Sequence, residues 1–383
     1  MDLGSTRSLD RKALARLLLT SGLDEVDLEL RPPPPPAGAG LAANLVTPFP
    51  AGLAPLPRPP AHGADPSAPL PRADVVVVTW TTDEQDGLAD VLTPGFGRKT
   101  WTRYNRHFAD RYADQTRPGA PARLARRLGS WLMTRIGQRD VLCFKSELHL
   151  NQDGMPSPTA PGQTTLPVKD LFAQLIEEAR PSVVLTVGTG GGVFRDHDLG
   201  DVTLTRAAKF RCRSEFGNAP FNGKTFKSEW NIPTTHFGTA VQLMGRFASR
   251  LAEPPLLGPT VRHAGQPFQA PTYSPDIKQD GTGGIPAFHP ILTTDFFEFG
   301  TSTNGLEHEG IAVEMGDAAL GLAASEMANP PRWAVVRNLS DPQINGELEA
   351  DLQALYAVWY YKQYGYWTSV MSALVTWAIV AGL

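Results

Sequence analysis

The chain has 383 residues, of which 42% are hydrophobic, and this is ample for one large α/β domain or two smaller ones. Its formal charge of −4 at pH 7 argues against a nucleic-acid-binding protein, which would carry a strongly basic face. The two cysteines, Cys143 and Cys212, lack the spacing of metal ligands. We therefore expect reduced cysteines, a cytoplasmic location, no metal site and no cofactor.

The N-terminal part differs in composition from the rest. Ser8 to Ser21 has helical spacing behind a capping serine, and its apolar stretch is too short for a secretory signal. From Pro32 to Pro71, fourteen of forty residues are proline, which predicts an extended, semi-rigid linker rather than core. We therefore divide the chain into residues 1–72, a helix with a proline-rich linker, and residues 73–383, a folded domain.

A strand and a helix are predicted in the stretch from Asp74 to Leu92. Four consecutive valines predict a buried strand, and the helix follows from Glu84 with Thr82 and Asp83 as capping residues. Glu84 then lies in the first helical turn, where the helix dipole favours a carboxylate. Two interpretations stay open at this point: a solvated first-turn acid, or an acid that faces a ligand cleft.

The following segments continue the alternation of strands and helices. Leu124 to His149 predicts a pair of strands, and the polar residues at its end form either a rim network or part of a site. Leu166 to Ala179 predicts an amphipathic helix that leads into an apolar strand at Val183 to Val187. The order strand, helix, strand predicts a parallel α/β sheet.

A run of glycines follows this strand. Gly188 and Gly190–Gly192 remove side chains from the carboxyl end of the strand, which is where open α/β sheets bind ligands. The other interpretation is a tight turn that needs positive φ. No Lys-Ser/Thr pair follows, and the next element, from Val202, is predicted to be a strand. The run is therefore neither a phosphate-binding P-loop nor a dinucleotide motif.

Four basic residues fall within one stretch of eight residues that begins four positions after Val202. Such clusters are typical of a solvated face, but Arg211 and Arg213 would share one side of a strand, and near a ligand site they would suit a phosphate. The four residues are Arg206, Lys209, Arg211 and Arg213.

Two further segments concern packing. Residues 214–290 are irregular apart from a predicted helix at Thr239 to Ala252, a pattern typical of a lid or an oligomer contact. Tyr366 to Leu383 carries no charge and has about the length of a membrane span. Polar residues such as Thr368 and Ser372 interrupt it, so we predict a core or dimer-interface helix instead.

Two strand patterns occupy the last third of the chain. Residues 311–324, IAVEMGDAALGLAA, predict a strand that enters a helix. Residues 333–341, WAVVRNLSD, predict a strand that ends at Asp341. Taken alone, Asp341 is either a cap of the next helix or a functional acid.

Together, the valine strand with Glu84, the glycine run, the VEM strand and the VVRNLSD strand resemble the nucleoside phosphorylase and nucleosidase superfamily, especially methylthioadenosine/S-adenosylhomocysteine nucleosidases. The resemblance spans about residues 74–383 and is patchy at 93–165 and 214–290. It implies a three-layer α/β/α sandwich with a twisted mixed sheet, without a membrane segment. It also implies a homodimer or a higher homo-oligomer.

The resemblance assigns roles to individual residues. Glu84 corresponds to the carboxylate that activates the attacking water, Asp341 to the acid that protonates the purine, and Ser340 to the serine that supports this acid. The other matching positions are Thr189, Gly190 and Gly191 facing the sugar, Phe297 stacking on the base, Met315 under the ribose and Arg337 near the ribose.

One motif departs from the family pattern. The family reads VEME, and its second glutamate binds the ribose hydroxyls, whereas this chain reads VEMGD with Gly316 in that place. We therefore expect Glu314 or Asp317 to take over the ribose contact, or the sugar to lie differently.

The implied reaction is cleavage of the N-glycosidic bond of a purine nucleoside or nucleotide. Cleavage builds positive charge on the sugar and negative charge on the base, so an activated water and an acid stabilise the two ends. Asp341 must then be protonated near neutral pH, which requires a desolvated site that raises its pKa. The basic residues from Arg206 to Arg213, on the far side of the sugar in the family, favour a 5′-phosphate.

We predict that the nucleophile is water. Phosphorylases of the superfamily hold phosphate with arginines, but this chain has Thr186 at one such place and no arginine in Thr79–Thr81. A phosphate-dependent phosphorylase is one alternative. The other is a nucleotide-sensing module without turnover, such as those of antiviral systems. The VEMGD departure is the reason for considering it.

Overall fold

A computed structural model of the chain describes residues 49–60, 64–150, 154–157, 162–245 and 274–383. Within these ranges thirteen strands join in one open, mixed sheet. The predicted helix at Ser8 to Ser21 lies outside the described residues, as does the end of the one predicted at Thr239 to Ala252.

The elements are numbered in chain order. The strands are β1 (Leu56–Arg58), β2 (Val75–Thr79), β3 (Thr102–Tyr104), β4 (Gly129–Ile136), β5 (Arg139–Ser146), β6 (Val183–Gly192), β7 (Val202–Thr205), β8 (Ala207–Phe210), β9 (Thr225–Lys227), β10 (Ile277–Gln279), β11 (Ile291–Thr293), β12 (Ala312–Glu314) and β13 (Arg332–Asp341). The α-helices are α1 (Thr82–Leu92), α2 (Pro121–Ala125), α3 (Pro167–Ala179), α4 (Phe237–Met244), α5 (Ala318–Ser325) and α6 (Ala350–Ala381).

The centre of the sheet is parallel and its neighbours are antiparallel. Strands β5, β2, β6 and β13 run parallel to one another, while β4, β12 and β7 join β5, β6 and β13 in antiparallel pairs. One path through the sheet is β1-β4-β5-β2-β6-β12-β11-β8-β9, with β13, β7 and β10 extending from β6 and β3 pairing with β4. This mixed sheet confirms the predicted α/β class.

Helices cover both faces of the sheet because the central strands bury alternate side chains on opposite sides. In β2, Val75 and Val77 face a core shared with α1, α4 and α6. Val76 and Val78 face a second core shared with α3 and α5. Strands β6 and β13 alternate in the same way, as expected of apolar runs buried on both faces. The result is the three-layer α/β/α arrangement that was predicted.

The last helix, α6, is a core element. Its part from Trp367 to Val380 is buried in the first core and packs on β13, α1 and α4. The prediction of a core helix for this uncharged segment is confirmed. In the described part of the chain, no helix combines the length and apolarity that a membrane crossing requires.

Part of the proline-rich segment also belongs to the packed structure. Phe49 is 8% exposed, and its ring centroid lies 4.8 Å from that of Trp377 in α6. The indole of Trp377 donates a hydrogen bond to the carbonyl oxygen of Leu53 (2.8 Å), and β1 adds a short strand beside β4. The segment was expected to stay out of the core, but these residues pack on it. A separate unit over residues 1–72 stays a prediction.

The glycine run is not a turn. Residues 188–192 continue β6 as an extended strand, and the glycines of the run do not have positive φ. The interpretation as a tight turn is therefore wrong. The reason for the glycines lies in the site that this end of β6 helps to form.

The packing of Phe49 yields a test of the N-terminal segment. We expect Phe49→Ala to lower the free energy of unfolding by about 3 kcal/mol, because a buried aromatic ring is removed from a close-packed core. Leu56→Ala is the matched control: this side chain is 60% exposed, so its loss should change the free energy by less than about 0.5 kcal/mol. Urea denaturation measures both. Equal stabilities of the two variants would show that Phe49 does not pack on the core in solution.

Candidate active site

A cavity of about 120 Å³ lies at the carboxyl ends of β2, β6 and β13. It is lined by residues from these strands, from β12 and from α6. The lining residues are Trp80, Thr81, Glu84, His149, Thr189, Gly190, Gly191, Phe297, Glu298, Val313, Glu314, Met315, Arg337, Ser340, Asp341, Ala357 and Tyr361. Ten of the predicted site residues are thus brought together, among them both predicted catalytic acids.

Glu84 is held by the start of α1 and by β6. Thr81 is the N-cap of α1, and it forms a capping box with Glu84 in which each side chain bonds the backbone of the other. Glu84 Oε2 accepts hydrogen bonds from the backbone N–H groups of Trp80 (3.0 Å) and Thr81 (2.8 Å) and from the Thr79 hydroxyl (3.1 Å). Glu84 Oε1 accepts from the backbone N–H and the hydroxyl of Thr189, at 2.8 and 2.9 Å.

The position of Thr189 follows from an opening in the sheet. Strand β2 pairs with β6 as far as Thr186, and β12 joins β6 only from Gly191. Between these two points the edge of β6 faces neither strand, and the N–H of Thr189 donates to Glu84 instead of to a neighbouring strand. The opening therefore gives a side chain from α1 direct access to the backbone at the centre of the sheet.

Arg337 lies at the centre of a buried cluster of charges. Its guanidinium binds Asp317 through two hydrogen bonds of 2.6 and 2.9 Å. It also lies 3.3 Å from Glu314 Oε2 and 3.6 Å from Glu84 Oε1. Asp317 is not among the residues that line the cavity, and both of its carboxylate oxygens accept hydrogen bonds from Arg337. Asp317 is therefore not in a position to take over the ribose contact.

Asp341 reaches the cavity through a β-bulge. The pairing of β13 with β6 shifts register between Leu339 and Asp341, so the alternation of side chains is interrupted at Ser340. As a result, Ser340 and Asp341 both line the cavity although they are consecutive. The Ser340 hydroxyl donates to Asp341 Oδ1 (3.1 Å). The alternative that Asp341 caps the next helix is wrong, because α6 begins at Ala350.

The pKa values of the two predicted catalytic carboxyl groups are shifted in opposite directions. Burial raises the pKa of Asp341 to about 7, and the hydrogen bond from Ser340 opposes this only in part. Burial would raise the pKa of Glu84 as well, but Arg337 and the surrounding N–H groups outweigh it, so that pKa lies below its usual range. Near neutral pH the cavity thus holds one ionised carboxylate and one carboxyl group able to donate a proton.

The pKa values of two other residues that line the cavity are also shifted. Burial and the neighbouring Asp317 raise the pKa of Glu314 to about 8. Burial and the charge of Lys145 lower the pKa of His149 to about 3, so this imidazole is neutral at physiological pH. In the described residues, no group of three or more His, Cys, Asp or Glu side chains is arranged to bind a metal ion.

The glycines of β6 make room for the two carboxyl groups. A Cβ on Gly188 would lie 2.4 Å from Glu84 Oε1, and one on Gly191 would lie 2.9 Å from Asp341 Oδ2. Real Cβ atoms do not approach other atoms so closely, so any larger residue would displace a carboxyl group. The expectation that the glycines leave the strand end open for a site is supported, although by close approach of side chains rather than by a turn.

Several cavity residues were not identified from the sequence as site residues. Trp80 takes the space next to Gly316: a Cβ on Gly316 would lie 3.1 Å from Trp80 Cζ2. Glu298 and Tyr361 also line the cavity. Tyr361 comes from α6, far along the chain from the motifs, and its sequence context marks it only as part of an aromatic helix.

The four predicted phosphate-binding residues do not line the cavity. Arg206 pairs with Asp280 (2.8 Å), and Lys209 pairs with Glu309 (3.2 Å). Strand β8 ends at Phe210, so the expectation that Arg211 and Arg213 share one side of a strand is wrong.

The two arginines past the end of β8 have different partners. Arg211 pairs with Glu309 and with Glu298, which itself lines the cavity. Arg213 lies over the ring of Phe296 (5.6 Å). Arg211 is thus separated from the cavity by one carboxylate.

Comparisons with known proteins give matches only among solved structures. No family model matches the chain, and no curated protein matches it. One similar structure is 5′-methylthioadenosine/S-adenosylhomocysteine nucleosidase from Neisseria meningitidis in complex with methylthio-immucillin-A, at 14% identity and a TM-score of 0.43, covering 81% of this chain and 100% of that one.

Two more solved structures match the chain. Futalosine hydrolase of Helicobacter pylori matches at 10% identity and a TM-score of 0.42, over 80% of this chain and 96% of that one. S-adenosylhomocysteine nucleosidase from Streptococcus pyogenes in complex with 5-methylthiotubericidin matches at 13% identity and a TM-score of 0.42, over 81% and 98%. By their names, two of these three proteins are nucleosidases and one is a hydrolase.

The raised pKa of Asp341 makes stability depend on pH. A carboxyl group with a higher pKa in the folded chain binds more protons when folded. Its contribution to the free energy of unfolding is therefore complete below pH 3.8 and is lost as the pH rises through about 7. Asp341→Asn cannot ionise. Relative to wild type, it should therefore gain about 2 kcal/mol in unfolding free energy between about pH 5.5 and about pH 8.5.

Denaturant unfolding at the two pH values measures this difference. Glu314 titrates in both proteins and cancels in the comparison. Exposed Asp114→Asn is the matched control and should follow wild type. A wild-type protein and an Asp341→Asn variant with the same pH dependence would mean that Asp341 is ionised in the folded chain.

Proposed function

We propose that the chain hydrolyses the N-glycosidic bond of a purine nucleoside or nucleotide and releases the free base. The observation that carries this proposal is that one cavity holds two buried carboxyl groups whose pKa values are shifted in opposite directions, that of Glu84 downward and that of Asp341 upward. An acid and a base set apart by their surroundings are what this chemistry requires.

Asp341 is assigned as the acid. As the bond between the sugar and the base breaks, its electron pair leaves with the base, and the proton of Asp341 passes to a ring nitrogen of the base. Ser340 binds Oδ1, which leaves Oδ2 for this transfer. The ring of Phe297 on the cavity wall is available for stacking on the base. The product is a neutral purine, and Asp341 regains its proton from solvent.

Glu84 is assigned to the sugar side. Its negative charge stabilises the positive charge that develops on the sugar. Oε2 accepts three hydrogen bonds and Oε1 accepts two, both from Thr189, so Oε1 is the less occupied oxygen and is the one assigned to orient the attacking water. The water oxygen bonds to the anomeric carbon, and one of its protons leaves through Glu84 to solvent. The other stays on the hydroxyl group of the free sugar.

The charges of the cavity favour water over phosphate as the nucleophile. Arg337 is the one Lys or Arg among the described residues that line the cavity, and its guanidinium already contacts Glu84, Glu314 and Asp317. A phosphate dianion would therefore meet carboxylates without a cation to hold it.

A cytoplasmic location and a homo-oligomeric state remain predictions.

The direct test is incubation of the purified protein with a panel of purine nucleosides and nucleotides, with and without inorganic phosphate. We expect free base and a reducing sugar in both conditions. A strict requirement for phosphate, with a sugar 1-phosphate as product, would favour the phosphorylase. Binding of a nucleotide without release of base would favour the sensing module.

The two assigned residues give the second test. Glu84→Gln and Asp341→Asn should each lower turnover by about 100-fold or more, because one removes the charge beside the sugar and the other the transferable proton. Exposed Glu215→Gln and Asp114→Asn are the matched controls and should keep wild-type rates. Thermal melts confirm that each variant is folded. A folded Asp341→Asn variant with full turnover would remove Asp341 from the mechanism.

The 5′-phosphate contact predicted for the basic residues is tested at Arg211, whose partner Glu298 lines the cavity. Arg211→Ala should lower kcat/KM for AMP about 10-fold more than for adenosine, because the negative charge of Glu298 is then left beside the phosphate. Raised salt should act in the same direction. Lys169→Ala, which loses a surface pair with Glu326, is the control. Equal losses on both substrates would assign Arg211 a structural role.

A further inference from the structure

The indole N–H of Trp80 is a buried donor on the cavity wall. Trp80 is 4% exposed and lines the cavity. Among the described residues, its Nε1 has no hydrogen-bond partner. An indole N–H donates and does not accept, and a buried donor without an acceptor destabilises the folded chain. Such a group calls for a partner from outside the protein.

Trp80 is fixed on several sides. The guanidinium of Arg337 lies over its ring, 4.8 Å from the centroid. Phe172 packs against it edge to face at 6.1 Å, and Gly316 lies against the edge that carries Nε1. The backbone N–H of Trp80 binds Glu84. The indole therefore has little freedom to turn, and its Nε1 lies beside Gly316, 3.6 Å from the position of a Cβ on that glycine.

The acceptors around Trp80 are already used. Glu84 accepts five hydrogen bonds from residues 79–81 and Thr189. Glu314 accepts from Thr293, from the N–H of Asp317 and from Arg337. This part of the wall therefore offers the substrate a donor more readily than a free carboxylate.

We propose that Trp80 is a specificity-determining residue, whose indole N–H donates a hydrogen bond to a ring hydroxyl oxygen of the sugar. This inference rests on the proposed function, since it is the assignment of Glu84 to the sugar side that places Trp80 beside the sugar. A hydroxyl oxygen is the acceptor that a sugar presents there. The substrates used in the test show whether the 2′ or the 3′ oxygen accepts this hydrogen bond.

The test compares wild type and Trp80→Phe on adenosine, 2′-deoxyadenosine and 3′-deoxyadenosine. Phenylalanine keeps an aromatic ring near Arg337 and removes the N–H. We expect kcat/KM for adenosine to fall about 10-fold, and the loss to disappear with the one analogue that lacks the accepting oxygen. Equal losses on all three substrates, or no loss on adenosine, would overturn the proposal.

A control and a second variant separate this role from a structural one. Trp230 donates its N–H to the carbonyl oxygen of Trp333 (2.9 Å) and does not line the cavity, so Trp230→Phe should lower the melting temperature without changing the order of the three substrates. In Trp80→Phe no hydrogen bond within the described part of the folded chain is lost, so the melting temperature should not fall for that reason. Gly316→Ala shifts the indole edge without removing a polar group, since its Cβ would lie 3.1 Å from Cζ2. It should show the same dependence on one hydroxyl, and a uniform loss would count against the proposal.

A non-cleavable C-nucleoside analogue of adenosine distinguishes failure of this inference from failure of the proposed function. Calorimetry measures its binding, and that of its 2′- and 3′-deoxy forms, to wild type and Trp80→Phe. A wild-type protein that binds the analogue but does not cleave adenosine would contradict hydrolysis of adenosine. A hydroxyl preference that depends on Trp80 would then still support the contact, and identical binding patterns for the two proteins would overturn it.

Discussion

The site depends on one buried cation, the guanidinium of Arg337. A charge taken out of water is costly unless it is paired and fully hydrogen-bonded. Here Asp317 binds it in a two-pronged pair, and Glu84 adds negative charge. Glu314 accepts a further hydrogen bond, and Trp80 covers the face of the guanidinium. The same contacts tie β13 to the start of α5, to β12 and to the start of α1. Arg337 therefore fixes both the positions of these elements and the ionised state of Glu84.

The difference between Glu84 and Asp341 follows from the same arrangement. Both carboxyl groups are buried, and burial by itself favours the neutral form of each. Glu84 lies within reach of Arg337 and of several N–H groups, whereas the one hydrogen bond that stabilises the charge of Asp341 comes from Ser340. One fold thus produces an acid and a carboxylate from chemically similar side chains.

Much of the fold was predictable from local sequence, and the reasons can be named. The valine run of β2 and the apolar stretches of β6 and β13 are buried on both faces, so composition alone identifies them as central strands. Glu84 lies in the first turn of α1 as predicted, but the helix begins at Thr82 rather than at Glu84, and its N-cap is Thr81 rather than Thr82 or Asp83. What the sequence did not predict depends on contacts distant in the chain. Asp317 was expected at the substrate from its place in VEMGD. Its pairing with Arg337, twenty residues further on, was not visible in the local sequence. The position of Trp80 likewise depends on its contact with the distant Gly316.

The glycines of β6 carry a consequence for stereochemistry. Gly188 and Gly191 each lie against one of the two carboxyl groups, and three residues of extended strand span on the order of 10 Å. Glycosidases whose carboxyl groups are far apart leave room for a water on the face of the sugar opposite the departing group, whereas those that form a covalent intermediate hold them at about 5 Å. For the hydrolysis proposed above, a wide spacing of this kind favours a single displacement at the anomeric carbon, in which the sugar of a β-nucleoside is released first as the α-anomer.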